Sequence, residues 1–408
     1  MVINFKGKNM FSIKNKLESN LKISLDKGLY KNYRVIIKCT SLPESIEKKI
    51  KTYAGNIIHS ISMINCICAT LTPHSINRII EFPQVSFIAN DYFALLCGEK
   101  GVLPSNGIIF QGRYNLTGKD ICIGLVDSGT YPHPDLLSPK NKVKKFIDLI
   151  GNYKYPYDDN GHGTFISGII CGNGMQSKGM YRGIAEGSSI YSIKAFNSLG
   201  KGYISDILFS LQLLIQESTN ENIKVICLPF ELELVDYFVL SLFEKLFEEA
   251  VKLNIAIVVP TGHRGNFEGS MQGIAILKNC ITVAGIDTTY KTPKPYKYSS
   301  CGPINKIKKP DLAAACVNIC SINTNTSYIS ERNGMKLYPK ILEKPYTCYS
   351  GTSCATGYIS GICSLMYENN PSLTFKDLTS LLKVCCNSLD MPKYYQGSGM
   401  LNLEKLLP

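Results

Sequence analysis

From Gly118 onward the chain alternates short, almost wholly apolar runs with segments of helical spacing, and few architectures accept that pattern. The runs are DICIGLVDSG, SSIYSIKAFN, IKVICLPF, IAIVVP and CITVAGID; the helical segments are GTFISGIICGNG, YISDILFSLQLLIQES, DYFVLSLFEKLFEEAVKLN and the stretch that follows YSGTSCATG. A strand that is apolar on both faces belongs in a parallel sheet covered on both sides. Strands alternating with helices therefore predict an α/β fold over residues 119–408: a doubly wound, mostly parallel sheet with helices on both faces. In such sheets ligands bind at the carboxyl ends of the strands. No internal repeat is found.

The residues before this region have a different texture. Residues 1–29 are rich in Lys, Asn and Ser and read as a loosely ordered polar leader. Over residues 30–91 the runs YRVIIKC, IIHSISMI, CICATLT and VSFIAND are strands. SLPESIEKKIKTYAGN carries a Ser41/Glu44 capping signal and predicts a helix ended by Gly55, and PHSINRIIEFP predicts a second, shorter helix. The order β-α-β-β-α-β predicts a small α+β domain of the ferredoxin-like, split βαβ kind. Residues 92–118 contain Gly, Pro and Ser and read as a linker.

Composition narrows the function classes. Hydrophobic residues make up 45% of the 408 and charged residues 19%, the balance of a globular protein. No apolar run reaches the roughly 18 residues that span a bilayer, so no membrane partner is expected. Net charge is +12, but the lysines are scattered without a basic helix or interleaved aromatics, so no nucleic-acid partner is expected either. The 16 cysteines show no CxxC pair and no zinc spacing, and several sit inside apolar strands. Lacking a secretory signal at the N-terminus, the chain is expected in the cytoplasm with its cysteines as reduced thiols.

Three polar residues fall where strand-end chemistry would be. Asp127 ends the first strand, His162 opens a helix in DDNGHGTFISG, and Ser353 opens the last helix in YSGTSCATG. Singly, each has a plainer reading: a turn residue for Asp127, and helix caps for His162 and Ser353. Together, in the order Asp…His…Ser, they follow one of the three chain orders of the hydrolytic triad. A serine at a helix N-terminus also has free N–H groups and the helix dipole beside any developing negative charge.

The flanking residues resemble the subtilisin-like serine proteases, the subtilases. The resemblance runs from about residue 115 to the C-terminus through VDSG, HPDL, DDNGHGT, SGIICGNG, YRGIAEGSSIYSIKAF, CITVAGID, YSSCGP, KKPDLAAACVNICS, SGTSCAT and GSGMLNLEKLL. Residues 30–91 resemble the family's inhibitory propeptide. The resemblance implies a serine endopeptidase made as a zymogen, with its own propeptide as intramolecular inhibitor and a processing site between residues 91 and 105. Asp127, His162 and Ser353 would be catalytic, a peptide or protein the substrate, and no cofactor required. Calcium, which many subtilases bind, is left open because no clean calcium loop is seen; the metal ligands are unknown. His133 matches a position that is structural in the family, and His59 and His74 have no assigned role.

The departures from the family pattern concern the oxyanion and the substrate edge. The family's oxyanion Asn follows Gly after the strand; here the loop reads PTGHRGN. Aligning on the strand IAIVVP puts His263 there, and aligning on GN puts Asn266 there. The strand fixes register better than a dipeptide, which favours His263. The substrate edge, usually Ser-Leu-Gly, is Pro229-Phe230-Glu231, and an unscreened Glu231 carboxylate would favour basic substrate residues. Gly357 stands where a proline is usual, and Ala314-Ala315-Cys316 replaces Ala-Pro-Gly. With the oxyanion loop so altered, the alternative expectation is a pseudoprotease that keeps the fold as a binding partner.

Overall fold

The computed structural model describes residues 16–41, 43–97, 99–100, 116–234, 236–302 and 308–407. The chain divides into two compact units, residues 1–93 with 203–212, and residues 94–202 with 213–408. No helix among the described residues is long and apolar enough to cross a membrane.

The first unit is a four-stranded antiparallel sheet in the order Asn56–Ile61, Cys66–Leu71, Tyr33–Cys39, Val85–Asn90. Val35, Ile37, Ile67 and Ile88 from the strands pack with Ile46 and Ile50 of the helix Pro43–Thr52 and with Ile76 and Ile79 of the helix Pro73–Ile79. This is the ferredoxin-like arrangement expected. The polar leader differs from expectation in its second half. Ser19–Asp26 is a helix, capped by Glu18, whose carboxylate accepts the Asn20 and Leu21 N–H groups. Leu17, Leu21 and Leu25 recur every fourth residue, and all three pack into this core. A strongly polar background hides that stripe from a reading by composition. Residues 203–212 also belong here: Arg34 pairs with Asp91 at 2.6 Å and with Asp206 at 2.7 Å, and His59 Nε2 lies 2.7 Å from Asp206.

The second unit is built on a sheet whose parallel part runs Leu312–Ala315, Ile281–Asp287, Ala256–Pro260, Ile223–Cys227, Cys122–Asp127, Ser189–Lys194, Val143–Asp148. Every residue of Cys122–Asp127 and Ala256–Pro260 is buried, as a sheet covered on both faces requires. On one face the helices His162–Cys171 and Thr352–Asn369 bring Ile166, Ile170, Ile359 and Ile362 against Ile123, Leu125, Val225 and Val258. On the other face Leu214 packs so close to Gly124 that a Cβ there would lie 2.7 Å from it. The strand Cys122–Asp127 is first in the sequence of this sheet yet lies inside it. The chain leaves it for one side and later returns to the other, so Asp127 stands at the point where the strand order reverses.

The cysteine expectation needs one correction. Cys320 and Cys348 form a disulfide. They are register partners on the antiparallel strands Ile319–Ile322 and Tyr346–Ser350, so the fold juxtaposes two residues that are 28 apart in sequence. The other 14 are free and all but Cys386 are buried.

Candidate active site

Asp127, His162 and Ser353 meet. His162 Nδ1 lies 2.9 Å from both Asp127 carboxylate oxygens, and His162 Nε2 lies 3.0 Å from Ser353 Oγ. Asp127 and Ser353 are each 1% exposed and His162 8%. Burial by itself would lower the His162 pKa. The charge and hydrogen bond of Asp127, the Cys97 carbonyl and Asp158 together outweigh it, and the net direction is up from 6.5.

Three further residues hold this geometry. Asp158 is fully buried and acts as the missing cap of the His162 helix, whose own N-cap is Gly161. Its carboxylate accepts the N–H groups of Asn160, Gly161 and Thr164, the Thr164 hydroxyl and the Ser128 hydroxyl. Ser128 Oγ in turn accepts the Gly163 N–H at 2.9 Å, tying the turn after Asp127 to the helix that carries His162. Gly129 makes that turn at φ +111°, where a Cβ would lie 2.2 Å from the Tyr157 carbonyl. Lys194, the register partner of Asp127, is the third. Its buried Nζ donates to the Ser128 carbonyl at 2.6 Å, to Asp159 at 2.5 Å and to the Phe196 carbonyl at 3.0 Å. The sequence carried signals for these residues: an aspartate four before His162, and a lysine that is the one charged residue of the strand SIYSIK.

Lys194→Met keeps the length and removes the charge, leaving three acceptors without their donor. The expected loss is about 2–3 kcal/mol. This is below the 3–5 kcal/mol typical of a broken buried pair, because Asp159 is 31% exposed. A thermal midpoint lowered by about 3–5 °C is the expected reading for a unit of this size; an unchanged midpoint would show that water replaces the ammonium.

An extended segment of the chain lies at this centre. Ala94, Leu95 and Leu96 pair antiparallel with Leu232, Glu231 and Phe230, and the Leu96 N–H donates to the Gly200 carbonyl at 3.3 Å. The Cys97 carbonyl accepts from the Ser353 hydroxyl and lies 3.2 Å from His162 Nε2. Beyond it, Lys100 and Glu99 are register partners of Tyr349 and Ser350. The start of the expected linker is thus ordered strand, while residues 98 and 101–115 lie outside the described residues. Beside the segment is a cavity of about 530 Å³ lined by Leu96, His162, Leu199, Tyr349 and Ser353 among others.

The altered loops occupy definite places. Phe230 and Glu231 form the edge that pairs with residues 95–96, preceded by Pro229. The Glu231 carboxylate is not unscreened, which corrects the expectation of a bare charge. It accepts the His263 N–H at 2.9 Å and sits 3.8 Å from Arg264 Nε. The His263 ring stacks on Tyr298 at 4.7 Å between centroids. The preceding Gly262 carbonyl accepts from the Thr352 hydroxyl at 3.3 Å, beside Ser353. Asn266 is three residues further on, its N–H bonded to the Lys297 carbonyl. His133 caps the helix Pro134–Leu137 through Nδ1, which accepts the Asp135 N–H, and burial lowers its pKa. Among the described residues no three His, Cys, Asp or Glu side chains converge on a point that could hold a metal ion.

Hydrogen-bonded Asp, His and Ser could serve many acyl transfers; a peptide strand lying in the cleft with a carbonyl at the serine narrows the class to a serine endopeptidase. The chain belongs to the subtilase family, whose model matches residues 118–399, and is a subtilisin-like serine endopeptidase. It is 30% identical over 370 residues to the serine protease AprX of Bacillus subtilis strain 168, covering 85% of this chain and 79% of that protein. It is 23% identical over 384 residues to subtilisin NAT of Bacillus subtilis subsp. natto, covering 92% and 90%. In fold it resembles fervidolysin of Fervidobacterium pennivorans, a keratinolytic enzyme related to subtilisin. There the TM-score is 0.71 at 17% identity, with 93% of this chain and 62% of that one covered.

Proposed function

We propose that the chain hydrolyses peptide bonds with Ser353 as nucleophile, His162 as general base and acid and Asp127 as the group that orients the imidazole. We propose also that it is made as a zymogen cut by its own active site after Cys97. Ser353 Oγ adds to the Cys97 carbonyl carbon while its proton passes to His162 Nε2. The oxyanion collapses, the bond to the Gly98 nitrogen breaks, and His162 returns the proton to that nitrogen. Water, deprotonated by His162, then hydrolyses the ester and leaves a carboxylate at Cys97. The observation that most supports this is the Cys97 carbonyl held against both Ser353 Oγ and His162 Nε2. The first unit runs directly into that segment, which supports its reading as an inhibitory propeptide. Fluorophosphonate treatment should label Ser353; a folded, processed chain that takes no label at that residue would sink the reading.

Oxyanion stabilisation is assigned to the His263 ring, with Asn266 as the alternative. The contact of Gly262 with Thr352 supports the first, because it holds the neighbouring residue next to the Ser353 helix. His263→Ala should lower kcat by roughly 10–10³ with little change in KM, and His263→Asn should recover part of that. Steady-state kinetics on one peptide decides it: a crippled Asn266→Ala beside a mild His263→Ala would transfer the role to Asn266. We also infer a cytoplasmic setting, supported by the 14 free thiols and opposed by the Cys320–Cys348 bridge.

A further inference from the structure

We propose that Glu231 restricts the residue at the point of cleavage to a small side chain such as Cys, Ala or Ser. This rests on the reading of Ser353 as nucleophile and Cys97 as the residue cut. Side chains alternate along a strand, so Leu95 and Cys97 share a face. Leu95 is the register partner of Glu231, which puts Glu231 on the same face and diagonal to Cys97. The Cys97 side chain is enclosed: the residue is 1% exposed, and the nearby Thr352 hydroxyl acts against the rise of its thiol pKa. Thr352 also donates to the Gly262 carbonyl, so Gly262 borders the same space. There the Glu231 carboxylate closes the site, since a Cβ on Gly262 would lie 2.5 Å from Glu231 Oε2. Burial, and next the Glu231 charge, push the Cys97 thiol pKa well above its ordinary value, in keeping with a carboxylate close by.

The carboxylate is fastened where it lies. Oε2 accepts the His263 N–H at 2.9 Å and faces Arg264 Nε at 3.8 Å. A Leu, Phe or Lys in place of Cys97 would have to dislodge it from both partners. Because Arg264 already balances its charge, Glu231 has little left to attract a basic residue. Bulk, rather than sign, is what it imposes.

The test uses peptides of sequence Ala-Leu-Leu-Xaa-Gly-Glu-Lys, which copy residues 94–100, with Xaa as Ala, Ser, Cys, Leu, Phe or Lys. The full chain, Glu231→Gly and Glu231→Gln are compared by kcat/KM, and a separate portion of each is labelled at Ser353 with a fluorophosphonate to show a formed site. The unaltered chain should cut the Phe peptide at least about 50-fold less efficiently than the Ala peptide, and Glu231→Gly should shrink that ratio at least about tenfold. Glu231→Gln, of equal size, should keep the small-residue preference. The inference is overturned if the unaltered chain cuts Phe or Lys peptides as well as Ala, if Glu231→Gly leaves the ratio unchanged, or if Glu231→Gln abolishes it. Labelling at Ser353 without cleavage of any small-residue peptide also overturns it. A chain that neither labels nor cleaves overturns the catalytic reading beneath it.

Discussion

Ser353→Ala should leave the chain at its full 45.2 kDa, while the unaltered chain separates into residues 1–97 and a fragment beginning at Gly98. The expectation follows from a single contact. The Cys97 carbonyl oxygen accepts from the Ser353 hydroxyl and strand pairing of residues 94–96 fixes the segment there, so the proposed scissile carbonyl already lies at the nucleophile in the unprocessed chain. Alanine removes the attacking oxygen and nothing else: residue 353 is buried in the first turn of a long helix that alanine also favours. Loss of the nucleophile in a triad costs roughly 10⁶ in turnover, enough to turn processing within minutes into none within days. Intact-mass spectrometry on the two proteins, expressed and purified side by side, gives the answer. Equal processing of both would assign the cut to another protease. A cut at any other bond in the unaltered chain would mean that the segment shifts in the cleft before it reacts.

The sequence made some of this legible and concealed the rest for physical reasons. Strands buried on both faces leave an uninterrupted apolar record, so the sheet could be read from runs such as ICIGLVD and IAIVVP. Asp127, His162 and Ser353 stand out because each is a polar residue at the end of such an element, flanked by glycine or small residues. What stayed hidden depends on distant partners. Whether Glu231 carries a free or a spent charge is decided by Arg264, 33 residues away on another loop. That Cys97, rather than any neighbour, meets Ser353 is decided by the register of Leu95 and Leu96 on Glu231 and Phe230. Asp158 lies inside the DDNGHGT motif, yet its role is invisible there, because its work is to bond five donors that only the folded turn assembles. The leader helix escapes a reading by composition because three leucines carry its packing among mostly polar neighbours.

Asp127→Asn should reduce turnover by about 10⁴, the cost of the same change in another triad, and should also move the acid limb of the pH profile. Both oxygens of Asp127 face His162 Nδ1 at 2.9 Å, so the imidazole proton sits on Nδ1, and Nε2, 3.0 Å from Ser353 Oγ, is the nitrogen left to act as base. An asparagine can present its NH₂ instead, which favours the tautomer with the proton on Nε2 and takes away the base. The sign of the pH effect comes from the balance at His162. Burial pulls its pKa down and Asp127, more than any other group, pulls it up, with a net rise above 6.5. Activity requires the neutral ring, so kcat/KM of the unaltered chain should fall as pH drops through a value above 6.5. Without the Asp127 charge, burial dominates, and the residual activity of Asp127→Asn should persist to lower pH, its limb lying below that of the unaltered chain. Measuring kcat/KM on one peptide from about pH 5 to 9 spans the ordinary histidine range on both sides. A variant that is slow but keeps the limb where it was would mean that Asp127 orients the ring without setting its charge, and that the rise comes from Asp158 and the Cys97 carbonyl.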